Sequence, residues 1–546
     1  MKANSRRAVL GAMGVLALTA TACSSDADRP GAAPPPQFGY VVPGELVTTN
    51  AGTGLGVATD AVKISARLYP GAFIAGPNEQ LLPNTDLVTA TRSGEDPKRV
   101  DYVINKDATY SDGAPVVCDD YLLTYTASTR PDLFGADMPL FSQVAAIDCV
   151  AGSKKFAVHF QEGFGDRYRE LFNAGTVMPA HTVLEHAEGL GDGSDVVSVL
   201  ASGDPSALQA LGASWQETFR VDGTDPATVP TSGPYRITSW TDDGGLVLET
   251  NPEWKGVKPA QSPIHMWPGS KDASALAEDN QLAVADLDFE QTPEDMGLTE
   301  PEYVSEKLDS SRVDTLRLWA DGPLASAEGR RALNACIDRG TIAEALKKHS
   351  DVTVKTTGLR VVHPTHPLAP QLSDIAEANA RVDMEQAKQL EGATIRIGYL
   401  ESSSRYKVIV DAVKDSCAAA GITIENVPVT ADDFGQLGQD YDVLLDTRSA
   451  FGRNSATNAN IGSKLNDIRR AEQELADEAI TIPLTTEPRS LVVEQHVHNV
   501  VDNAGDGGVS WNMDRWVESE TTIHELNDAP EDQTAESHTS GPKDPV

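Results

Sequence analysis

The sequence predicts an α/β fold that is divided into more than one domain. The chain has 546 residues, a length typical of two or three domains. From Tyr40 onward, short apolar strands alternate with helical segments. The clearest observation is a strand–helix–strand pattern at 394–399, 406–420 and 422–427. This pattern is typical of parallel strands in an α/β sheet.

The individual elements follow from periodicity and from capping residues. Alternating β-forming residues predict these strands in chain order: 100–105, 155–160, 235–240, 246–250, 264–267, 394–399, 422–427 and 443–445. Helical spacing predicts these helices: 119–128, 326–335, 341–347, 406–420 and 466–477. Gly421 directly follows helix 406–420, as a C-terminal cap does.

The N-terminus predicts an export signal and a lipid anchor. Arg6 and Arg7 precede an apolar run at 8–22, which is too short to span a bilayer. Small residues before Cys23 resemble a lipobox, so we expect a signal peptide at 1–22 and lipidation of Cys23. The arginine pair also resembles a twin-arginine signal, so the sequence does not decide between the general secretory route and the twin-arginine route. A lipid on Cys23 would place the protein on the outer face of the cytoplasmic membrane.

Two polar segments flank the predicted folded region. Residues 23–40 are rich in Ser, Pro and Ala and predict a flexible linker. Residues 521–546 are polar and acidic and predict a disordered tail. The chain carries 44 basic and 81 acidic residues, a formal net charge of −37. This charge repels nucleic acid, which we exclude as a partner.

Four cysteines follow Cys23, at positions 118, 149, 336 and 417. An even number of cysteines in an exported chain predicts two disulfides, and the residues alone allow three pairings.

Several motifs occur in a fixed order along the chain. The first is 101–121, in which Ser111-Asp-Gly113 predicts a turn and Asp119 or Asp120 predicts a helix cap. The remaining motifs are these: Ser232-Gly-Pro-Tyr-Arg-Ile237 with 246–254, Arg331-Ala-Leu-Asn-Ala-Cys-Ile-Asp-Arg339, Ala479-Ile-Thr-Ile-Pro-Leu484, and 508–516. Together they resemble the family-5 extracellular solute-binding proteins, the group of oligopeptide, dipeptide and nickel-chelate receptors. The ending looks most like actinobacterial lipoprotein members.

The resemblance implies a two-lobe fold of the periplasmic-binding-protein type, with a hinge and a ligand cleft between the lobes. Lobe I would comprise 41–270, with an extra subdomain, and the return segment 488–520; lobe II would comprise 271–487. The implied partners are a peptide or another small molecule and the permease subunits of an ABC importer, and we expect a monomer. The pairs Cys118–Cys149 and Cys336–Cys417 are favoured because each falls within one lobe.

The resemblance also suggests ligand-binding residues. In peptide-binding members, an Asp in a segment like G-W-x-x-D-x-x-D-P accepts the ammonium group of the ligand. The corresponding segment here, 442–454, has neither the Trp nor the Asp-Pro. Asp446 would take a related place, and Arg448 could pair with a carboxylate, unless the two form an internal ion pair. Trp319 would give an aromatic floor, and Asn50 would lie on a cleft-facing loop.

The functional alternatives are a surface lipoprotein scaffold that kept the fold but lost its transport ligand, and a receptor for nickel chelates or other organic solutes. The region after residue 454 is short, which weakens the inference of peptide specificity. Candidate metal-binding histidines are His363 with His366 and His496 with His498. Ser404-Arg-Tyr-Lys407 matches S-x-x-K but lacks the accompanying motifs of penicillin-binding enzymes. We therefore predict no catalytic site, no cofactor and no metal.

Overall fold

The computed structural model describes residues 37–77, 80–190, 195–221, 225–350, 354–449 and 464–524. Cys23, the predicted signal peptide and most of the predicted tail lie outside these residues. Within them, helices flank three main β-sheets, so the predicted α/β class is confirmed. None of the helices in these ranges has both the length and the apolar composition required to cross a membrane.

The largest sheet has seven strands and mixed pairing. Its strands, in spatial order, are Tyr303–Leu308, Arg489–Glu494, Val284–Leu287, Gly39–Val41, Ile264–Trp267, Leu246–Thr250 and Tyr235–Trp240. Gly39–Val41 pairs in parallel with both of its neighbours, and the remaining pairs are antiparallel. Tyr40 is fully buried, and its ring meets Trp516 edge-on at 5.1 Å. This contact fixes the C-terminal segment onto the sheet.

The second sheet has five strands and contains the predicted strand–helix–strand unit. Its order is Thr423–Val429, Thr394–Leu400, Val443–Ser449, Arg312–Leu318 and Thr481–Thr486. The strand Thr394–Leu400 runs parallel to Thr423–Val429, and the helix Ser404–Ala418 connects them. The helix buries Ile409, Val410 and Val413 against this sheet. Burial of this apolar face holds the helix in place.

The third sheet, with four antiparallel strands, forms a subdomain. Its order is Val88–Arg92, Arg99–Ile104, Lys155–Phe160 and Val144–Cys149. The predicted turn precedes helix Cys118–Thr129, and Gly113 adopts φ +88°, a left-handed conformation that favours glycine. Asp120 accepts hydrogen bonds from the backbone N–H of Val117 and Ala180, both at 2.8 Å. The motif at 101–121 therefore has a structural role.

Two short two-stranded sheets and the helices complete the fold. The small sheets pair Phe73–Ala75 with Leu81–Pro83 and Val497–His498 with Val517–Glu518. The described α-helices are Gly54–Ala58, Ala61–Ser65, Cys118–Thr129, Pro131–Phe134, Ala180–His186, Val196–Ser202, Pro205–Glu217, Ala273–Glu278, Ala327–Cys336, Arg339–Leu346, Ser373–Ala380, Met384–Ala387, Ser404–Ala418 and Leu465–Glu478. Seven 3₁₀ segments are described: Pro139–Gln143, Tyr168–Glu170, Pro226–Thr228, Gly322–Leu324, Ala369–Leu372, Lys388–Leu390 and Gly508–Arg515.

Two adjacent connections join the seven-stranded and five-stranded sheets. The chain passes from Tyr303–Leu308 to Arg312–Leu318 and returns from Thr481–Thr486 to Arg489–Glu494. These strands pair with each other on both sides of the crossing. We call 309–311 and 487–488 the hinge. Two adjacent chain crossings permit the two parts of the molecule to bend relative to each other.

The hinge divides the molecule into two lobes. The large lobe comprises 37–308 and 489–524 and carries the seven-stranded and four-stranded sheets. The small lobe comprises 312–486 and carries the five-stranded sheet. The first sheet thus extends past residue 270, where the sequence placed the end of lobe I, because strands Val284–Leu287 and Tyr303–Leu308 complete it.

Both favoured disulfide pairings are confirmed. Cys118 is bonded to Cys149 in the four-stranded subdomain. Cys336 is bonded to Cys417 in the core of the small lobe, where both are fully buried. Each bridge therefore joins residues of one lobe.

Candidate functional site

The small lobe presents one face of two central strands to the large lobe. Arg312–Leu318 and Val443–Ser449 are antiparallel, with Thr315 opposite Asp446. Alternate residues of a strand point to opposite faces, and directly opposed residues share a face. Arg317, Asp446 and Arg448 therefore lie on the same face. The other face, which includes Leu445, packs into the core of the small lobe.

Four charged side chains form a bridge across the cleft, and we call them the cleft bridge. Within the small lobe, Asp446 Oδ2 lies 2.8 Å from Arg317 Nε and accepts a hydrogen bond from Arg448 Nε at 2.9 Å. Across the cleft, Asp137 of the large lobe accepts a hydrogen bond from Arg448 Nη1 at 3.1 Å and contacts Arg448 Nη2. Arg317 Nη1 lies 2.8 Å from Asp137 Oδ2. Two guanidinium groups thus hold one carboxylate from the opposite lobe.

The surroundings of the cleft bridge favour the ionised form of Asp137. Burial alone raises the pKa of this carboxyl group, but Arg317 and Arg448 together hold it well below its usual value. Burial lowers the pKa of Arg448, and Asp137 and Asp446 raise it further than burial lowers it. Asp137 and Arg448 are therefore both held in their charged forms at neutral pH.

A second charged cluster lies at the hinge and centres on Arg312. This buried guanidinium donates hydrogen bonds to Glu487 and Asp60, each at 3.0 Å, and to Asp506 at 3.1 Å. It also donates to the carbonyl oxygen of Thr447 at 3.0 Å. Because Asp60 and Asp506 belong to the large lobe, Arg312 connects both lobes and the hinge.

The space between the lobes near the hinge is small and polar. A cavity of about 60 Å³ lies there. Its charged lining residues are Glu45, Asp60, Asp286, Asp288, Arg405, Glu487 and Arg489. Drug-sized ligands occupy pockets of roughly 300–1,000 Å³, so a ligand of that size would fit there only if the lobes separated. A further ion pair, Arg220 with Asp432, links the rims of the two lobes.

The other two predicted ligand-binding residues lie apart from the cleft bridge. Asn50 is fully buried in the large lobe, where its amide nitrogen donates to the carbonyl oxygen of Trp215 and its amide oxygen accepts from Gly52 N–H. Trp319 is 50% exposed at a strand end, and its ring lies on Gly438. Ligand roles for Asn50 and Trp319 stay predictions. For Asp446 and Arg448, the structure shows the alternative that the sequence left open, an internal ion pair.

Two residues of the cleft bridge were not predicted from the sequence. Arg317 had a signal, because it is the charged residue in the otherwise apolar strand end Leu316-Arg-Leu-Trp319. Asp137 had none, since it lies two residues after Gly135 in a short irregular segment. Its partner Arg448 is 311 positions away in the sequence.

The remaining chemical motifs take part in local contacts. Lys407 of the S-x-x-K match bonds Asp411 at 2.6 Å on the exposed side of its helix. His496 contacts Glu494 at 2.8 Å, and His498 contacts the carbonyl oxygen of Thr521 at 2.7 Å. Among the described residues, one group of three metal-type side chains lies close together, at Cys118, Asp119 and Cys149, and its two thiols form a disulfide.

The chain is similar to full-length actinobacterial proteins. It is 30% identical to an uncharacterised lipoprotein of Mycobacterium tuberculosis, over 92% of this chain and 95% of that protein. It is 29% identical to an uncharacterised lipoprotein of Mycobacterium leprae, over 92% of this chain and 96% of that protein. The similarity thus covers nearly the whole length of each relative.

Solved structures show the same fold at low sequence identity. The oligopeptide-binding protein AppA of Bacillus subtilis, in complex with a nonapeptide, matches with a TM-score of 0.65 and 13% identity, over 89% of this chain and all of AppA. The periplasmic EDTA-binding protein EppA matches with a TM-score of 0.62 and 19% identity, over 89% of this chain and 98% of EppA. Residues 83–461 match the family "Bacterial extracellular solute-binding proteins, family 5 Middle". The chain therefore belongs to the family-5 bacterial extracellular solute-binding proteins.

Proposed function

We propose that the protein is a lipid-anchored receptor that captures a small solute outside the cell and delivers it to the permease subunits of an ABC importer. A peptide is the ligand class we propose first. The observation that carries this proposal is the paired crossing at the hinge, with charged groups of both lobes meeting in one cleft. Hinge closure around a ligand is the motion that such an arrangement permits.

The proposed anchor is a lipid on Cys23. The cysteine follows an export-type segment and precedes a Pro-rich stretch. The mycobacterial relatives are named lipoproteins, which supports the same attachment here. A flexible tether would keep the two lobes beside a membrane-embedded permease without limiting their motion. The two disulfides suit an oxidising compartment outside the cytoplasm.

The residues of the cleft determine which solute the protein binds. AppA is described with a nonapeptide, EppA as an EDTA-binding protein, and AgaA of Agrobacterium tumefaciens with agropinic acid. One fold therefore receives peptides and other polar organic molecules. The segment around Asp446 differs from that of peptide-binding members, so polar organic molecules other than peptides are the second ligand class we propose.

The receptor proposal is tested on the protein purified from its own host. Native mass spectrometry of the gently released protein should show a mass above that of the lipidated chain, and denaturation should remove the added mass. A peptide library should also raise the melting temperature of the ligand-stripped protein. The proposal fails if no solute is retained and no library member shifts the melting temperature.

A second candidate function is a surface scaffold that kept the fold without a transport ligand. Two observations favour it: the charges of the cleft bridge pair with one another, and the separate cavity beside the hinge measures only about 60 Å³. Small-angle scattering separates the two functions. A receptor should change its radius of gyration when a solute from a host extract is added, whereas a scaffold should not respond.

A further inference from the structure

We propose that Arg317 and Arg448 form the recognition site for an anionic group of the solute, and that Asp137 occupies this site as an internal competitor. The anionic group is a carboxylate or another oxyanion that presents two oxygens to one guanidinium group, such as sulfate. This inference rests on the receptor function proposed above and narrows its ligand class. It also assigns a role to Asp137.

Arg317 and Arg448 are arranged as the donors of a carboxylate-binding site. A guanidinium group presents several N–H donors in a planar fork, which matches the two oxygens of a carboxylate. Arg448 contacts both oxygens of Asp137, and Arg317 contacts Oδ2 at 2.8 Å. Asp446 lies behind the two arginines and is 1% exposed. Its contacts hold both guanidinium groups in position.

The charges favour an anion over the ammonium group that the resemblance suggested for Asp446. Among the contacts described within the small lobe, two arginines pair with one aspartate, so these three groups together carry one positive charge. Asp137 supplies the balancing negative charge. An ammonium group placed against Asp446 would lie beside two guanidinium groups and would be repelled by both. A solute carboxylate would reproduce the contacts of Asp137.

Asp137 can leave the two arginines because it is attached to the other lobe. Its backbone N–H donates to the carbonyl oxygen of Gly52 at 2.9 Å, and Ala136 pairs with Thr53 in an isolated β-bridge. Asp137 is therefore attached to the large lobe, whereas both arginines lie on strands of the small lobe. When the hinge opens, Asp137 leaves with the large lobe and the two arginines remain together. A solute anion then competes with Asp137 for the same donors.

The test measures anion binding by variants of the mature protein at positions 137, 317 and 448. Asp137→Asn removes the competitor charge, and Arg448→Gln and Arg317→Gln each remove one donor group. The probes are trialanine, its C-terminal amide, succinate and sulfate, added to ligand-stripped protein in titration calorimetry. If Asp137 keeps the site filled for 90–99% of the time, its removal raises the apparent affinity about 10- to 100-fold.

We expect Asp137→Asn to bind at least one of the anions trialanine, succinate and sulfate about 10-fold or more tightly than the wild type. Trialanine amide should show no such gain. Adding Arg448→Gln or Arg317→Gln to the Asp137→Asn background should abolish the gain. Asp432→Asn is the matched control, because it breaks another cross-lobe ion pair without touching the arginine pair. Asp137→Ala is the second variant should Asp137→Asn fold poorly.

The inference is overturned if neither Asp137 variant binds any of the anions more tightly than the wild type, or if the gain survives loss of either arginine. A native solute that binds tightly but carries no anionic group would also overturn it while leaving the receptor function intact. The receptor function can also fail alone. In that case Asp137→Asn binds the anions, but the wild-type protein retains no solute in its host and binds no permease. The anion site would then be supported, and the transport role would be rejected.

Discussion

At the scale of single residues, the cleft bridge shows how a buried charge is held by partners on two lobes. Asp446 and Arg448 are two positions apart on one strand, so the sequence alone indicated their ion pair. The identity of the third and fourth members depended on tertiary structure. Arg317 comes from the neighbouring strand, and Asp137 comes from the other lobe. No local pattern reports which distant loop meets a given strand.

Glu472 is a single residue on which a whole segment depends. Its carboxylate is fully buried and accepts hydrogen bonds from the backbone N–H of Arg360, Val361 and Val362 at 2.6, 2.7 and 3.1 Å. We expect Glu472→Gln to lower the free energy of unfolding by about 2–4 kcal/mol, because an amide N–H₂ then faces a buried donor. Urea unfolding followed by circular dichroism measures this loss.

Glu474→Gln is the control for that measurement. Glu474 is on the same helix but is 58% exposed, so its replacement should change stability by no more than about 0.5 kcal/mol. Equal stability of the two variants would contradict the role assigned to Glu472.

At the scale of the elements, the sequence predicted boundaries well wherever the pattern was local. Strands Lys155–Phe160, Tyr235–Trp240, Leu246–Thr250 and Ile264–Trp267 have the predicted ends. Their alternation and their flanking turn residues lie within the segment itself. Strand Val443–Ser449 extends four residues past its predicted end. Its extra residues are the charged Asp446 and Arg448 with Thr447 and Ser449, which become strand-compatible because partners from other elements neutralise the charges.

The two disulfides should differ in their effect on stability. The sequence separation is 81 residues for Cys336–Cys417 and 31 for Cys118–Cys149. In the chain-entropy model, the longer loop gives about 4.5 kcal/mol and the shorter about 3.7 kcal/mol. We expect the double Cys→Ala variant at 336 and 417 to lower the melting temperature more than the variant at 118 and 149. Differential scanning calorimetry makes the comparison, and the reverse order would contradict this account.

The first turn of helix Cys118–Thr129 should make stability depend on pH. Burial raises the pKa of Asp120 to about 6, although backbone hydrogen bonds from Ala180 and Val117 favour the carboxylate. The unfolded value is about 3.9, so the folded state binds the proton more tightly. The stabilisation by Asp120 is therefore complete below about pH 4 and is lost as the pH rises through about 6.

The corresponding experiment compares the wild type with Asp120→Asn. Their difference in unfolding free energy should shift by about 2 kcal/mol against the wild type between pH 4 and pH 7. Asp107→Asn, at an exposed position before the same helix, is the control. A difference that stays constant over this range would show that Asp120 does not titrate there.

At the scale of the whole molecule, Arg312 should couple the two lobes. Removing a buried cation from Asp60, Glu487 and Asp506 leaves carboxylates uncompensated, which costs about 3–5 kcal/mol. We expect Arg312→Gln to split thermal unfolding into two transitions and to enlarge the radius of gyration. Calorimetry and small-angle scattering measure these effects.

Arg396→Gln is the matched control, because Arg396 pairs with Asp442 inside the small lobe and is partly exposed. It should leave one transition and an unchanged radius of gyration. A single transition in Arg312→Gln, with unchanged dimensions, would show that other contacts join the lobes.

The overall architecture was largely predictable, whereas the lobe boundary was less so. The α/β class followed from the 394–427 pattern, and two lobes followed from the family resemblance. The limit at residue 270 was set without the knowledge that Val284–Leu287 lies between Gly39–Val41 and Arg489–Glu494. Such pairing joins segments more than 200 residues apart in the chain. Long-range strand order is decided by packing, which leaves no mark in a short window of sequence.

The placement of the disulfides has a consequence for engineering. Cys118–Cys149 and Cys336–Cys417 each reinforce one half of the molecule, and neither restrains the joint between the halves. The covalent reinforcement and the hinge therefore lie in separate parts of the structure. Additional disulfides within either lobe should raise the melting temperature without restricting the hinge. A chemical crosslink between cysteines placed at positions 137 and 448 should instead hold the two lobes in the arrangement described here.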